Sequence, residues 1–213
     1  MRCKVFISIL ILFFSCSSKK TVLSKSDYSI INLFINSYSK PLFFDKPQPF
    51  YMKNTVDGGF QKTCLSTLKH YIKRFKHVDS LCKTGNFPII DSLGKSIPCI
   101  MRANYSKYVG ILTKKELEYF QAADFELKSR IVEKNKIKSE DVILVDNLDS
   151  KKGDSKISRA IYLKGPFYSK NGMKAFLEWY SSSTVSFEGS NNCILYIKKN
   201  GDWEEIGNLN FGL

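Results

Sequence analysis

The chain has 213 residues, a formal net charge of +13, and 43% hydrophobic and 14% aromatic residues. This composition is ordinary for a globular protein and excludes a chain too polar to bury a core. Without its first 15 residues the chain is still long enough for one domain or two small ones.

The first 16 residues have the pattern of an export signal. Arg2 and Lys4 form a basic start, and residues 5–14 are apolar except for Ser8. An apolar run of ten residues is too short to span a bilayer, because a spanning helix needs about 20 residues. A basic start, a short apolar run and a small residue at the cut are what a cleaved signal requires. Residues 1–15 are therefore predicted to be a cleaved signal peptide, with an ordinary signal or a short uncleaved anchor as alternatives.

The end of this signal resembles the lipobox of bacterial lipoproteins. Ser15 stands directly before Cys16 as the expected small residue, whereas Phe13 and Phe14 depart from the usual motif. The resemblance implies that Cys16 is the lipid attachment site, as in palmitoylated lipoproteins, and that the protein is held on a membrane. Two or more acyl chains anchor stably, since each buried CH2 contributes about 0.8 kcal/mol. Ser17 implies, by the same resemblance, an outer membrane facing the periplasm or the exterior.

Positive charge is concentrated in the half of the chain nearest this cysteine. Residues 17–112 carry 15 basic and 5 acidic side chains, whereas residues 113–213 carry 16 and 15. Such asymmetry is interpreted either as solvated lysines alone or as attraction to an anionic partner such as membrane headgroups or polysaccharide. No nucleic-acid recognition motif is present, and we expect no nucleic-acid partner.

Four cysteines remain beyond the signal and the proposed lipid site. They are Cys64, Cys82, Cys99 and Cys193. An even number in an exported protein allows two disulfides in three connectivities, and buried thiols are the alternative. If residues 62–82 formed one straight helix, Cys64 and Cys82 would lie about 27 Å apart and could not bond to each other. The spacing does not match a zinc site.

Helices are predicted mainly before residue 156. Residues 16–27 are polar enough to form a flexible tether. Residues 27–38 form a helix or a buried strand, which Asp27 could cap. Residues 40–49 are expected to be extended because of their prolines, and a turn follows at residues 57–59.

The clearest helix of the first half covers residues 62–78. Its apolar residues recur on one broad side. The other side carries a stripe of four lysines: Lys62, Lys69, Lys73 and Lys76. The stripe is interpreted either as an ordinary solvent-exposed face or as a contact with an anionic surface. Short strands and loops are expected from residue 87 to residue 111.

The second half begins with a helix and continues as strands. Thr113 and Glu116 form a capping box that starts a helix near Lys114. Val142–Val145 is a strand candidate. The strands that follow alternate with strong hairpin turns at residues 171–172 and 200–201, and a break is expected at residues 181–184. Gly165 and Pro166 predict a bulge or an edge position in the first of these strands.

Residues 113–203 resemble a group of uncharacterised bacterial cell-envelope lipoproteins. The resemblance is carried by LTKKEL at 112–117, ISRAI at 157–161, SKNGMKA at 169–175 and IKKNGDW at 197–203. Such proteins tend to end in a strand, an NG or DG turn and a tryptophan-bearing strand. The resemblance is structural and implies no activity and no catalytic residue.

No catalytic motif stands out. His70 and His77 would be about 10.5 Å apart on a helix, too far to share one metal ion. The sequence contains no HExxH, no GxSxG and no phosphate-binding glycine loop. We therefore expect no metal ion or other cofactor. Paired Asp and Glu residues could perform glycoside hydrolysis, but no spacing singles any out.

The sequence as a whole predicts an α+β protein. Residues 28–213 are expected to form a single domain, with helices in the first two-thirds packed on a C-terminal antiparallel meander of about four strands. The expected function is that of a membrane-anchored cell-envelope lipoprotein that acts as a binding or accessory protein. A hydrolase that acts on an anionic envelope polymer is the alternative.

Overall fold

A mixed eight-stranded sheet forms the centre of the part of the chain that the structure describes. The computed structural model describes residues 21–39, 48–84, 102, 104–125, 128–153, 157, 159–183 and 189–210. Its strands are β1 (Thr21–Val22), β2 (Phe50–Asp57), β3 (Arg130–Ile131), β4 (Val142–Val145), β5 (Arg159–Tyr168), β6 (Lys174–Ser183), β7 (Gly189–Lys199) and β8 (Asp202–Asn210). Its helices are α1 (Lys25–Ser39), α2 (Thr63–Thr84) and α3 (Lys114–Ala122), with short 3-10 turns at Lys134–Lys136 and Asp149–Lys151.

The sheet is larger than the four-stranded meander that the sequence predicts. Its strand order is β1-β3-β2-β5-β6-β7-β8, and β4 also pairs with β2. Strand β2 is the junction, since it runs parallel to β4 and β5 and antiparallel to β3. The α+β class is confirmed, with helices mostly in the first half and the meander at the C-terminus. The correction is that four strands from earlier in the chain extend the sheet.

Turn chemistry determines the C-terminal meander, and the predicted hairpins at residues 171–172 and 200–201 are confirmed. Strands β5 to β8 pair in order and antiparallel. Asn200 and Gly201 both have positive φ, at 52° and 94°, as a two-residue type I′ turn requires. The register of β5 shifts between Lys164 and Phe167, which confirms the bulge. The edge position was wrong, because β5 lies between β2 and β6.

The sheet buries both of its faces. On one side, here called the α1 face, α1 contributes Tyr28, Ile30, Ile31, Phe34 and Ile35 to a core shared with strands β2, β5, β6, β7 and β8. On the opposite side, the α2 face, α2 and α3 pack over β5 to β8. Successive strand residues therefore point into different cores, and each fully buried large apolar side chain contributes about 1.5–3 kcal/mol.

Helix α1 begins earlier than the sequence predicts. Ser24 is its cap: the Ser24 N–H donates to Asp27 Oδ2 at 2.8 Å, and the Asp27 N–H donates to Ser24 Oγ at 3.2 Å. This reciprocal arrangement is a capping box, with Asp27 inside the first turn. The predicted tether over residues 16–27 is correspondingly too long, since β1 covers Thr21–Val22, Leu23 is buried and α1 begins at Lys25.

The predicted positions of helices α2 and α3 are close to those in the structure. The predicted helix over residues 62–78 is confirmed and extends to Thr84. The capping box of Thr113 and Glu116 is confirmed and starts α3 at Lys114. Residues 104–106 are helical, although short strands and loops were expected there. Within the described ranges, no helix has the length and apolar character needed to cross a membrane.

Candidate functional site

A pocket opens on the α2 face, where the neighbouring strands β5, β6 and β7 lie side by side. Two rows of side chains form its floor, because directly paired residues on β5, β6 and β7 lie side by side. One row is Lys164 and Glu178, next to which Cys193 is paired on β7, and the other is Tyr162, Tyr180 and Asn191. Gln61, just before α2, closes one side, and Trp179 and Asn192 also line the pocket. Its volume is about 20 Å³, which is room for about one water molecule. We call it the Glu178 pocket.

Glu178 is the buried charge of this pocket. Its side chain is 4% exposed, and its Oε1 accepts a hydrogen bond from the Gln61 N–H at 2.6 Å. Its Oε2 is buried and has no hydrogen-bond partner in the part of the chain that the structure describes. Burial raises the pKa of Glu178 to about 7, and the Gln61 N–H and the charge of Lys164 lower it by less. The carboxyl therefore changes between acid and carboxylate near neutral pH.

A disulfide lies against Glu178. Cys64, at the start of α2, is bonded to Cys193 of β7 with a Cα–Cα distance of 5.9 Å, and both residues are fully buried. The Cys64 sulfur lies 3.2 Å from Glu178 Oε1. A disulfide sulfur has no proton to donate, so this is a packing contact that leaves the hydrogen-bonding need of the carboxyl unmet. The disulfide fixes the beginning of α2 over the sheet and holds Gln61 above Glu178.

Two tyrosines form the open side of the pocket. Tyr162 and Tyr180 are directly paired across β5 and β6 and are both partly exposed. The Nζ of Lys53, on the adjacent strand β2, lies 4.7 Å from the centroid of the Tyr162 ring. The pocket is thus bordered by aromatic rings and by the side chains of Lys164 and Asn191. It has room for a water-sized group, whereas small-molecule sites are much larger.

A second buried carboxylate lies at the N-terminus of α1 and is fully partnered. Asp27 Oδ2 accepts hydrogen bonds from Ser24 and lies 3.1 Å from Arg130 Nη1. Its Oδ1 accepts a hydrogen bond from the Tyr168 hydroxyl at 2.9 Å. Burial raises the pKa of the Tyr168 hydroxyl, and the nearby charge of Asp27 adds to that effect. Arg130 also donates to the Gly165 carbonyl. This cluster joins α1, β3 and β5 and leaves no open polar group on Asp27.

The cysteines that the sequence analysis assigned to disulfides or lipid attachment have different environments. Of the four disulfide candidates, Cys64 and Cys193 are joined, while Cys82 is partly buried near the end of α2. Cys99 and the lipid attachment site Cys16 lie outside the described residues. The sequence did not determine which of these cysteines would pair.

The lysine stripe of α2 is exposed as predicted. Its four members all point into solvent: Lys62, Lys69, Lys73 and Lys76. Their contact with an anionic surface remains a prediction. His70 and His77 are also exposed, and His70 Nε2 accepts a hydrogen bond from Arg74 Nε at 3.3 Å. Over the described ranges, no group of three or more metal-ligating side chains is close enough to hold an ion.

Sequence reasoning missed the Glu178 pocket. The signal that could have found it is the position of Glu178 within an apolar strand, between Leu177 and Trp179. Because β6 is covered on both faces, a charged residue in it must be buried by one core or the other. The sequence could not show which core buries it, and thus could not show that Cys64 and Gln61 would be its neighbours. Comparison of the chain with protein-family models, curated proteins and solved structures found no match.

Proposed function

We propose that the protein is a lipid-anchored cell-envelope protein that binds a partner through its folded domain. The anchor is Cys16, reached by removal of residues 1–15. The described part of the chain begins five residues later, at Thr21 of β1. Five residues span at most about 18 Å, so the anchor keeps the sheet close to the membrane surface.

The observation that carries this proposal is the buried disulfide of Cys64 and Cys193. Disulfides form and persist in the bacterial periplasm and outside the cell, whereas cytoplasmic thiols are kept reduced. A disulfide that closes 129 residues of chain and lies inside the core supports folding in an oxidising compartment. This compartment agrees with the export signal proposed for the first 15 residues.

Two surfaces support a binding role. The Glu178 pocket offers directed polar groups and aromatic rings in a small depression. The exposed stripe of Lys62, Lys69, Lys73 and Lys76 supplies positive charge that attracts anionic headgroups or acidic polysaccharide. None of these four lysines lines the pocket.

Replacement of the anchor cysteine tests the proposal. The Cys16→Ser variant should leave the membrane fraction and lose all labelling by a fatty-acid probe. The Cys3→Ser variant is the matched control, because it changes the other cysteine of the first 16 residues and should keep both properties. Unchanged labelling and membrane retention of the Cys16→Ser variant would refute the anchor.

Hydrolysis of an anionic envelope polymer is the second candidate function. The observation that favours it is the buried carboxyl of Glu178 beside the pocket: burial raises its pKa to about 7, and a general acid works best when its pKa lies near the operating pH. The full chain, incubated with an acidic polysaccharide, should then release reducing ends, and Glu178→Gln should abolish the release. No release by the unchanged protein would eliminate this candidate and leave the binding function.

A further inference from the structure

The outer side of α2 carries positive charge and no unpaired negative charge. Its exposed basic residues are Lys69, Lys73, Arg74, Lys76 and Lys83. The single acid of the helix lies 2.7 Å from Lys83 Nζ and 2.6 Å from an arginine Nε, so its charge is already paired: this acid is Asp79, and the arginine is Arg102. We infer that the domain lies with α2 against anionic phospholipid headgroups and with its α1 face turned away from the membrane. This inference rests on the proposed lipid anchor and deepens it.

The lysines of α2 form one stripe along the helix. Successive residues of an α-helix are about 100° apart, so Lys69, Lys73, Lys76 and Lys83 fall within about 80° around its axis. With a rise of about 1.5 Å per residue, the stripe is about 21 Å long. All four ammonium groups therefore face the same way and can contact one flat surface together.

The opposite side of the domain has no comparable stripe. Lys25 and Asp27 are the only charged residues of α1, and Asp27 is buried. Residues 133–141, which contact α1 through hydrogen bonds of Asn32, carry three lysines and three acids. Since α1 and α2 cover opposite faces of the sheet, the domain has one basic side and one balanced side. An anionic surface attracts the basic side more strongly.

The contact of α2 with the membrane is electrostatic, because the apolar side of the helix forms the core. Cys64, Leu65 and Leu68 are each at most 2% exposed and belong to the core of the α2 face. An amphipathic helix that lies in a membrane buries its apolar side among the lipids instead. Helix α2 therefore rests on the headgroups, and the attraction should weaken as salt is added.

The shape of this surface favours a layer of headgroups over a polysaccharide chain. Sites for a discrete ligand are concave, whereas these lysines project from the outer side of a helix and do not line the Glu178 pocket. A membrane presents phosphates all over a plane, so flexible lysines can each reach one without a groove. The anchor at Cys16 holds the domain beside that plane, which raises the effective concentration of headgroups around α2.

Lysine footprinting of the lipidated protein tests the inference. The protein is added to preformed vesicles of phosphatidylcholine, or of an equal mixture of phosphatidylcholine and phosphatidylglycerol. The acetylation rate of each lysine by acetic anhydride is then measured by mass spectrometry. Polygalacturonate, added to the phosphatidylcholine vesicles, is the polysaccharide probe.

Two triple variants with the same change of charge complete the experiment. The first carries Lys69→Gln, Lys73→Gln and Lys76→Gln. The control carries the same substitution at three exposed lysines in or near α1: Lys25, Lys136 and Lys138.

We expect the α2 lysines to be protected on the anionic vesicles alone. Their acetylation should be about fivefold slower than on phosphatidylcholine, since the attraction of one basic residue to an anionic leaflet corresponds to about that factor. The lysines in or near α1 should react equally on both kinds of vesicle. Salt at about 1 M should remove the protection, because it shortens the screening length to about 3 Å.

The variants separate the α2 surface from total charge. Lys62 should lose its protection in the α2 variant and keep it in the control variant. The inference would be overturned by equal protection on both sides of the domain, by equal loss in both variants, by the same footprint on both kinds of vesicle, or by protection from polygalacturonate alone. If Cys16 still takes up the fatty-acid probe, these outcomes leave the anchor intact. Protection of α2 in a protein that carries no lipid would overturn the anchor and keep the contact.

Discussion

The two faces of the sheet each bury a carboxylate, but they treat it differently. On the α1 face, Asp27 receives hydrogen bonds from Ser24 and Tyr168 and an ion pair from Arg130. On the α2 face, one oxygen of Glu178 is bonded and the other is not. Burying a charge is costly unless every oxygen is paired. The paired carboxylate therefore stabilises the fold, whereas burial of the partly unpaired one disfavours its charged form.

Removal of the disulfide should have the largest effect, because it is the covalent link of the α2 face. The double variant Cys64→Ala, Cys193→Ala opens a loop of 129 residues, and loop-closure entropy predicts a loss of about 5 kcal/mol in the free energy of unfolding. Urea denaturation followed by circular dichroism measures the loss. Both tryptophans, Trp179 and Trp203, pack on the α1 face, so their fluorescence reports the other core. A loss below about 1 kcal/mol would show that the disulfide adds little constraint to the unfolded chain.

Removal of the partner of Asp27 tests the α1 face. Arg130→Met leaves a buried aspartate without its cation and should lower the free energy of unfolding by about 3 kcal/mol. This value is at the lower end for buried ion pairs, because the Arg130 side chain is 21% exposed. Adding Asp27→Asn removes the unpaired charge and should restore part of the stability. Arg74→Met, on the exposed side of α2, is the control and should be neutral within about 0.5 kcal/mol. An equally small effect of Arg130→Met would mean that Asp27 does not depend on this pair.

Ionisation of Glu178 should lower the free energy of unfolding, whereas the ion pair of Asp27 raises it. Its pKa is about 7 in the folded protein and 4.5 when unperturbed, so the unfolded chain ionises first as the pH rises. Stability should therefore fall between about pH 4.5 and pH 7 and stay reduced above it. Lys164, Tyr162 and Tyr180 are its neighbours on the pocket floor, and the charge of Lys164 lowers the pKa of Glu178 by less than burial raises it.

The Glu178→Gln variant should be about 3 kcal/mol more stable than the unchanged protein at pH 8, and its stability should be flatter across this range. Denaturation at several pH values measures the difference, with Glu140→Gln as the control. A stability that rises from pH 5 to pH 8 in the unchanged protein, and that Glu178→Gln flattens, would contradict the raised pKa.

The capping box of α3 should give the smallest effect. Thr113→Ala removes the side-chain acceptor for the Glu116 N–H and should cost about 1 kcal/mol. Burial raises the pKa of Glu116, but hydrogen bonds from Lys174 and Thr113 outweigh this and hold it below its ordinary value. The contribution of Glu116 should therefore be present above its unfolded pKa and be lost as the pH falls through its folded pKa. Thr67→Ala, in the interior of α2, is the control for the loss of a threonine, and an equal cost at both sites would show that the cap adds nothing.

Local signals predicted the elements that depend on neighbouring residues. The capping box of Thr113 and Glu116, the two hairpin turns and the strand Val142–Val145 all lie where the sequence places them. The break expected at residues 181–184 was wrong for residues 181–183. Serines favour turns, but these three pair with Arg159, Ala160 and Ile161 of β5, which keeps them in the strand.

By itself, the sequence determined the α+β class, the exposed lysine stripe of α2 and the order of the C-terminal meander, because turns, caps and periodic apolar residues act within a few positions of the chain. Only the tertiary structure decided that β2 joins β4 and β5, that Cys64 bonds Cys193, and that Glu178 lies beneath Gln61 with one oxygen unpaired. These features pair residues that are about 90 to 130 positions apart. No local pattern encodes such partners, since the sheet and the two cores that cover it bring them together.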